Sequence, residues 1–360
     1  MKHACCKYGL IYFLNNTPVL FLFACILILS ACEKIAELNL PKENKLVVLA
    51  EITAGDSAFI PVSASRIAGS GDAISFEKVN DATVSISSQG GAEKQLRLNL
   101  SSDFTDNPAS VFSDPGIFTA NTSYTIKVNH PVMEAVTSTA YIPAPFTVYN
   151  ISTEESVVQG KEVFNFNFYI DDAAGETNYY IFEAVKQLAK VGHYFYWQGV
   201  RYDYDTQSGK DLHETLEDEE DVEIPVIKDT LATNKYIRLN IFTNDNNTDN
   251  KNIGSLDSSF RRIFIRDSLF NGQSYFTSIS VIMDQFEAVY PQDKGIVLIR
   301  IKSVGKDFYN YMLQYEKYKT DFGKMPVGQL TSPFGNIQNG LGIFGGSFKR
   351  EWKYYFDDLE

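Results

Sequence analysis

Short apolar and β-branched runs, separated by turn residues, recur over residues 45 to 145. Several of these runs alternate apolar and polar positions, which is the period of a strand that buries one face. The pattern predicts strands at 45–52, 58–63, 82–88, 95–100, 122–128 and 135–142. Their length and spacing favour an antiparallel β-sandwich. Pro143 and Pro145 stiffen the chain after the last of these strands and predict a domain boundary at residue 145.

Residues 146–360 continue the strand-rich pattern and add one amphipathic helix. Strands are predicted at 163–170, 178–185, 193–204, 236–242, 260–265, 275–283 and 295–301. A helix is predicted at 306–319, because aromatic and methionine positions recur there at helical spacing. Strands and helices do not alternate, which argues against a doubly wound α/β fold. The expected fold is mainly all-β, with a sandwich domain at 45–145 and a larger β-rich domain at 146–360 that has one or few helices.

The N-terminal pattern differs from the rest of the chain. Two lysines precede an apolar run at 19–29, which is too short to span a bilayer as a helix but fits the core of a signal peptide. The run ends in Leu-Ser-Ala-Cys32, the order of residues at a bacterial lipoprotein processing site. We expect residues 1–31 to be a lipoprotein signal peptide, Cys32 to carry fatty acyl chains such as palmitate, and residues 32–44 to form a tether. The alternative is an uncleaved anchor followed by a chance cysteine.

Composition narrows the classes of partner and chemistry. The net charge is −13, and the four cysteines all occur at or before Cys32. An acidic surface disfavours nucleic acid as a partner, because phosphate binding needs clustered lysine and arginine. Processing at Cys32 would leave no thiol for disulfides, thiolate metal sites or thiol catalysis. No cofactor is expected.

Segments spread over nearly the whole chain after Cys32 are similar to those of one family. They begin with the lipoprotein processing site and continue with KLVVLAEIT from residue 45, DATVSI from 81, YTIKV from 124, AYIPAP from 140, FYIDD from 168, NYY from 178, DSLFNGQSY from 267 and NIQNGLGIFG from 336. The family is the Bacteroidota lipoprotein family known as domain of unknown function 4249. The resemblance implies an outer-membrane lipoprotein associated with a TonB-dependent receptor. It also implies an Ig-like N-terminal domain and a β-rich remainder, and it supplies no catalytic residues.

The last of these segments contains a glycine pattern. Gly340, Gly342 and Gly345 satisfy G-x-G-x-x-G, which in dinucleotide-binding folds joins a strand to a helix. A proline and an asparagine precede the glycines, where that motif needs a strand. The glycines therefore predict a strand or loop that passes close to other backbone, with Ile343 and Phe344 packed in the core.

Aromatic residues are concentrated at 193–204. On a single strand, His193, Phe195 and Trp197 would share one face, whereas Tyr194 and Tyr196 would share the other. One face must lie against a core, and the other is then available to contact a ligand or partner. The alternative is that both faces are core. The predicted interaction surface comprises Tyr194, Tyr196, Trp197, Tyr202 and Tyr204.

Two acidic segments are weak candidates for calcium binding, because calcium prefers oxygen ligands. The run at 214–223 is predicted to be a solvated loop, and the segment at 244–250 lacks the glycine and the final glutamate of an EF-hand loop. The candidate ligands are Glu217, Glu219, Asp245 and Asp249.

Three Asp-Ser/Thr-apolar triplets resemble a bacterial O-glycosylation sequence. The candidate acceptors are Ser57, Thr230 and Ser268. A three-residue pattern also arises by chance, and the intact mass of the natively expressed protein distinguishes the two cases.

The leading functional hypothesis is a non-enzymatic outer-membrane lipoprotein that is anchored by Cys32 and serves a TonB-dependent receptor in ligand capture or as a scaffold. One alternative is a surface hydrolase acting on peptide or glycan. His130, His193 and His213 provide histidines for it, but no G-x-S-x-G elbow or H-E-x-x-H pair supports it. Another alternative is a structural or adhesive envelope protein. The ligand and the side of the membrane that the protein faces stay open.

Overall fold

The computed structural model describes residues 44–66, 75–100, 108–172, 174–220, 222–250, 260–286, 293–321 and 335–355. The predicted signal peptide, Cys32 and the predicted tether up to residue 43 lie outside the described residues. Among the helices that the structure describes, none is both long and apolar enough to cross a membrane.

Strands dominate the described chain, as predicted, and two α-helices accompany them. The helices are α1 (Gln207–Glu220) and α2 (Lys306–Asp321), and two 3₁₀ turns lie at Asp267–Leu269 and Met283–Phe286. The strands in chain order are β1 (Lys45–Thr53), β2 (Ala58–Arg66), β3 (Ser75–Lys78), β4 (Thr83–Ser88), β5 (Lys94–Gln95), β6 (Arg97–Leu98), β7 (Ser110–Asp114), β8 (Thr122–Asn129), β9 (Val136–Ile142), β10 (Thr147–Val158), β11 (Lys161–Asp171), β12 (Tyr179–Trp197), β13 (Val200–Asp203), β14 (Ile227–Arg238), β15 (Ile241–Phe242), β16 (Ile263–Arg266), β17 (Ser274–Ile282), β18 (Asp293–Val304) and β19 (Leu341–Tyr355).

These strands form three sheets. An eleven-stranded sheet has the order β13-β12-β18-β19-β1-β2-β7-β6, with β14 and β16 also paired to β12 and β3 paired to β2. The two smaller sheets have the orders β5-β4-β8-β9 and β10-β11-β17-β15. All strand pairs are antiparallel except β1 and β19, which run parallel. The fold is therefore of the all-β, sandwich type.

The two largest hydrophobic cores of the described residues lie against the large sheet. The first is formed by residues between 46 and 142 and includes Ile337 and Phe344 from the C-terminal segment. The second is formed by residues between 146 and 301 and is rich in phenylalanine. The residues of the two cores divide near the boundary predicted at 145. The large sheet nevertheless joins strands from both sides of that boundary, because β19 pairs with β1 and with β18.

The glycine pattern lies at the start of β19 and explains how this strand fits between its neighbours. Ile343 and Phe344 are buried, as predicted. Gly342 has a φ of +101° and pairs with Val48 of β1. A Cβ at Gly342 would lie 2.0 Å from the Val48 carbonyl oxygen, and a Cβ at Gly345 would lie 2.1 Å from the Phe308 ring. The prediction of close backbone passage is confirmed.

Several local predictions were wrong. The strands predicted separately at 178–185 and 193–204 both belong in part to the single strand β12, and the strand predicted at 236–242 is divided between β14 and β15. The aromatic run at 193–204 forms the end of β12 and the separate strand β13, because Gln198 and Gly199 both have positive φ and make a two-residue hairpin turn. The acidic run at 214–223 lies mostly in α1 rather than in a loop. The Thr206 hydroxyl accepts a hydrogen bond from the Gly209 N–H and caps that helix. A threonine at this position is typical of a helix start, but the prediction of a loop used only the acidic residues.

Candidate functional site

Three of the segments that carry the family resemblance, those beginning at 168, 178 and 267, meet at one buried polar cluster. Asp172 directly follows β11, Asn178 directly precedes β12, and Tyr180 lies in β12. The turn after β16 supplies Asp267 and Gly272. Tyr180 Oη donates to Asp172 Oδ1 at 2.5 Å, and the Gly272 N–H donates to Asp172 Oδ2 at 2.9 Å. The Asn178 N–H donates to Asp267 Oδ2 at 2.8 Å. We call these five residues the aspartate cluster.

Burial and mutual charge perturb the groups of the aspartate cluster. Asp267 is fully buried, and its Oδ1 has no hydrogen-bond donor among the described residues. Burial raises the pKa of Asp267, the N–H of Asn178 partly opposes this effect, and the neighbouring Asp172 carboxylate raises the pKa further. A proton on Oδ1 of Asp267 would make that atom a donor, and the Asp172 carboxylate would accept the hydrogen bond. Burial and the bond to Asp172 likewise raise the pKa of Tyr180.

Asparagine at position 267 is expected to match or exceed the stability of the wild type above neutral pH. The pKa of Asp267 is raised above its ordinary value of 3.8, so its contribution to stability is complete below that value and is lost as pH rises through the raised pKa. An amide keeps the acceptor for Asn178 and replaces the acid proton with an N–H donor, an effect of about 1 kcal/mol. Thermal melts of the wild type and Asp267→Asn between pH 4 and pH 8 measure it.

Asp171→Asn is the matched control for that comparison, because Asp171 is the exposed neighbour of Asp172 in sequence. Its melting profile should follow that of the wild type at each pH. A loss of stability in Asp267→Asn that persists at pH 8 would contradict a raised pKa of Asp267.

A cleft of about 410 Å³ lies beside the aspartate cluster and shares Asn178 with it. Its walls come from the region of β8 and β9, from the loop before β12, and from the junction of β18 and α2. A second cavity of about 190 Å³ shares Tyr141, Gly305 and Lys306 with the cleft. The larger volume falls within the range of small-molecule sites.

The structure separates the predicted interaction residues into two faces of the β12–β13 hairpin. Tyr194 and Tyr196 lie on one face, with ring centroids 5.6 Å apart in an edge-to-face arrangement. Arg201 pairs with Tyr196 across the strands, and its guanidinium lies 3.9 Å from the centroid of the Tyr194 ring. Ile227 of β14 pairs with Tyr194 and is also exposed. We call Tyr194, Tyr196, Arg201 and Ile227 the tyrosine face.

The other predicted aromatics belong to the opposite face, which α1 covers. Tyr202 stacks on the buried Phe195 at 5.4 Å, and Trp197 lies on the same side of β12 as Phe195. Tyr204 contacts His213 of α1 at 5.1 Å. These contacts hold the hairpin against α1. The tyrosine face is therefore the side of the hairpin opposite the side that packs on the helix.

The calcium candidates accept hydrogen bonds from protein donors. Asp245 accepts from Tyr275 and Thr277, at 2.5 and 2.7 Å. Asp249 accepts from Arg266 and Tyr309, and Glu217 accepts from the Ile224 N–H at 2.8 Å. Glu219 is exposed on α1. Within the described ranges, no group of three or more histidine, cysteine, aspartate or glutamate side chains has an arrangement that could hold a metal ion.

The candidate glycosylation acceptors differ in their surroundings. Ser57 and Ser268 are exposed, and Thr230 belongs to β14. Asp267, which precedes Ser268, is buried in the aspartate cluster.

Each histidine of the described chain lies beside a carboxylate. His130 is 3.1 Å from Asp81, and His193 is 2.8 Å from Asp205. His213 Nε2 donates to the Ile224 carbonyl at 2.8 Å, and Nδ1 is 3.5 Å from Glu217. His213 thereby joins α1 to the segment that follows it.

Sequence reasoning assigned no role to the residues of the aspartate cluster. The available signal was the similarity of the segments at 168 and 267 to the same family. Nothing in either segment alone indicates that the two meet, because they are separated by about a hundred positions.

The fold and these sites define the class of the protein as a sandwich-type, mainly β protein with a buried carboxylate pair. The sequence model of a family described as Domain of unknown function (DUF4249) matches residues 33–351, and the chain belongs to this family.

Comparisons with curated sequences and with solved structures give no information beyond the family membership. A search of curated protein sequences finds no match. Among solved structures, the crystal structure of trypsin activated alpha-2-macroglobulin from Escherichia coli is 8% identical, over 74% of this chain, with a TM-score of 0.20. The chain spans 15% of the length of that structure. A TM-score this low supports no conclusion about fold or function.

Proposed function

We propose that this protein is a non-enzymatic lipoprotein of the outer membrane, held there by lipid on Cys32, that serves a TonB-dependent receptor in ligand capture or as a scaffold. The lipoprotein processing sequence supports the anchor, and the tyrosine face supports a protein partner. Tyrosine and arginine are the residues most enriched at the energetic centres of protein interfaces.

The tyrosine face is the observation that carries the proposal of a partner. Tyr196 is 51% exposed, and its ring contacts the ring of Tyr194. Arg201 is its partner on the neighbouring strand and covers the Tyr194 ring, so the side chains of the pair are ordered. Side chains that are ordered before binding lose less conformational entropy in a complex. An ordered pair of tyrosines, one exposed and one half-buried, beside an arginine is thus suited to a specific contact.

Replacing both Tyr194 and Tyr196 with serine is expected to reduce recovery of the receptor at least about tenfold. The reason is that residues at the energetic centre of an interface contribute about 2 kcal/mol or more to binding. The measurement is co-purification of the affinity-tagged full chain from native membranes, followed by identification of bound proteins. Phe276→Ser is the control, since Phe276 is an exposed ring on β17, in a different sheet from the tyrosine face. Recovery of the wild-type lipoprotein without any receptor, or equal recovery with the double variant, would contradict the proposal.

A further inference from the structure

The cleft beside the aspartate cluster combines two opposite charges. Glu176 lies in the loop before β12, and Lys306 is the first residue of α2. Both side chains are exposed, and neither makes a salt bridge within the part of the chain that the structure describes. Burial and then the charge of Glu176 raise the pKa of Tyr141, which places that carboxylate near the phenol on the cleft wall.

A hydrogen-bonding group lies in the same cleft as these charges. Tyr141 Oη donates to Asn121 Oδ1 at 2.6 Å. This bond fixes the orientation of the Asn121 amide, so its NH₂ group is the part left to donate. Asn121 is exposed, and an incoming carbonyl oxygen is the acceptor that such an amide suits.

Thr177 and Asn178 add further polar groups to the lining, and part of the rest is apolar. Pro143 and Ala144 lie on one side of the cleft, and Val304 lies beside Lys306. A small apolar surface between polar groups is the usual construction of a site for a small ligand.

We propose that the cleft binds a short peptide with free termini, with Glu176 receiving the ammonium group, Lys306 receiving the carboxylate and Asn121 donating to a peptide carbonyl. This inference rests on the ligand-capture part of the proposed function and names the chemical class of the ligand. A neutral glycan would use neither charge. A simple anion would be repelled by Glu176, and a simple cation by Lys306.

The first test changes the ligand. Isothermal titration of the purified full chain in detergent uses trialanine and its N-acetylated, C-amidated and doubly blocked forms. Removing either terminal charge is expected to weaken binding about tenfold, because Glu176 or Lys306 then loses the opposite charge that it would pair with. Maltotetraose and chitotriose are titrated in parallel and are expected to give no saturable heat.

The second test changes the protein. Glu176→Gln is expected to weaken free trialanine about tenfold and to leave the N-acetylated form unaffected. Lys306→Met is expected to have the corresponding effect for the C-terminus. Glu155→Gln and Lys161→Met, which remove exposed charges at β10 and β11, are the matched controls and should bind as the wild type does.

Three outcomes would overturn the peptide site: no saturable binding of trialanine by the wild type, equal binding of free and doubly blocked peptide, or saturable binding of a glycan that survives both substitutions. The ligand series uses the wild-type protein, so it decides the question even where a variant folds poorly. Failure of this titration leaves receptor co-purification untouched, and failure of co-purification leaves the titration untouched, so the two proposals fail separately.

Discussion

Alanine at position 342 is expected to destabilise the protein by about 2–6 kcal/mol, because two costs of about 1–3 kcal/mol each combine there. One is the left-handed backbone conformation, with a φ of +101°. The other is the contact of the new Cβ, at 2.0 Å, with the Val48 carbonyl oxygen of the neighbouring strand. That oxygen belongs to β1, whose pairing with β19 joins the two halves of the large sheet. Urea unfolding of the wild type and Gly342→Ala measures the difference.

Two further glycine variants separate the costs. Gly160→Ala tests conformation alone, because Gly160 has a φ of +78° and open space around its Cβ position. Gly345→Ala tests packing, because its Cβ would meet the Phe308 ring. We expect both losses to be smaller than the loss at Gly342. A loss at Gly342 no greater than that at Gly160 would contradict close backbone passage as the reason for the glycine.

Alanine at position 183 is expected to cost about 3–5 kcal/mol, because it leaves buried positive charges without their carboxylate. Glu183 is 2% exposed and lies 2.7 Å from Arg262, 3.2 Å from Arg238 and 3.4 Å from Lys302. Arg262 also binds Glu316 at 2.9 Å, which ties α2 to the sheet. Chemical unfolding of Glu183→Ala at pH 7 gives the free energy directly.

The pH dependence of this effect has a defined sign. Burial by itself raises the pKa of Glu183, but Lys302, Arg238 and Arg262 together lower it well below its ordinary value of 4.5. A lowered pKa contributes stability that is present above pH 4.5 and is lost as pH falls through the lowered value. The difference between the wild type and Glu183→Ala should therefore shrink on acidification below pH 4.5.

Two controls test whether the loss at position 183 comes from unpaired charge. Glu155→Ala removes an exposed glutamate of β10 and should stay within about 0.5 kcal/mol of the wild type. The double variant Glu183→Leu with Arg238→Met removes the carboxylate together with a cation that it pairs, leaves the Arg262–Glu316 pair in place and should recover part of the loss. A single variant as stable as Glu155→Ala would contradict the role assigned to the buried ion network.

The presence of a strand could be predicted where the alternating pattern that forms it lies within one segment. The alternating residues at 82–88 and 122–128 bury one face, and they form β4 and β8 close to the predicted bounds. The helix at 306–319 forms α2, since its spacing and its buried Phe308 are properties of one segment. The strands β7, β10 and β19 were not assigned, because their patterns are mixed with glycine, serine and charged residues.

The candidate sites were predictable only in part. Tyr194 and Tyr196 share a face because side chains alternate along any strand. Tyr202 and Tyr204 lie on the opposite side because Gln198 and Gly199 turn the chain back on itself. The aspartate cluster and the cleft could not be inferred, since each gathers residues from distant segments.

The order of residues along the chain was enough to indicate a β-rich protein, because alternation and turn residues are local. The lipoprotein leader, which rests on the local context of Cys32, stays a prediction. Only the tertiary structure decided which strands became neighbours. The parallel pairing of β1 with β19 joins residues nearly three hundred positions apart, and it places Gly342 of β19 against the Val48 carbonyl. The same pairing carries the final strand past Lys302 and Glu51 of the buried ion network. Such long-range contacts depend on how several faces bury one another at once, and no single segment encodes them.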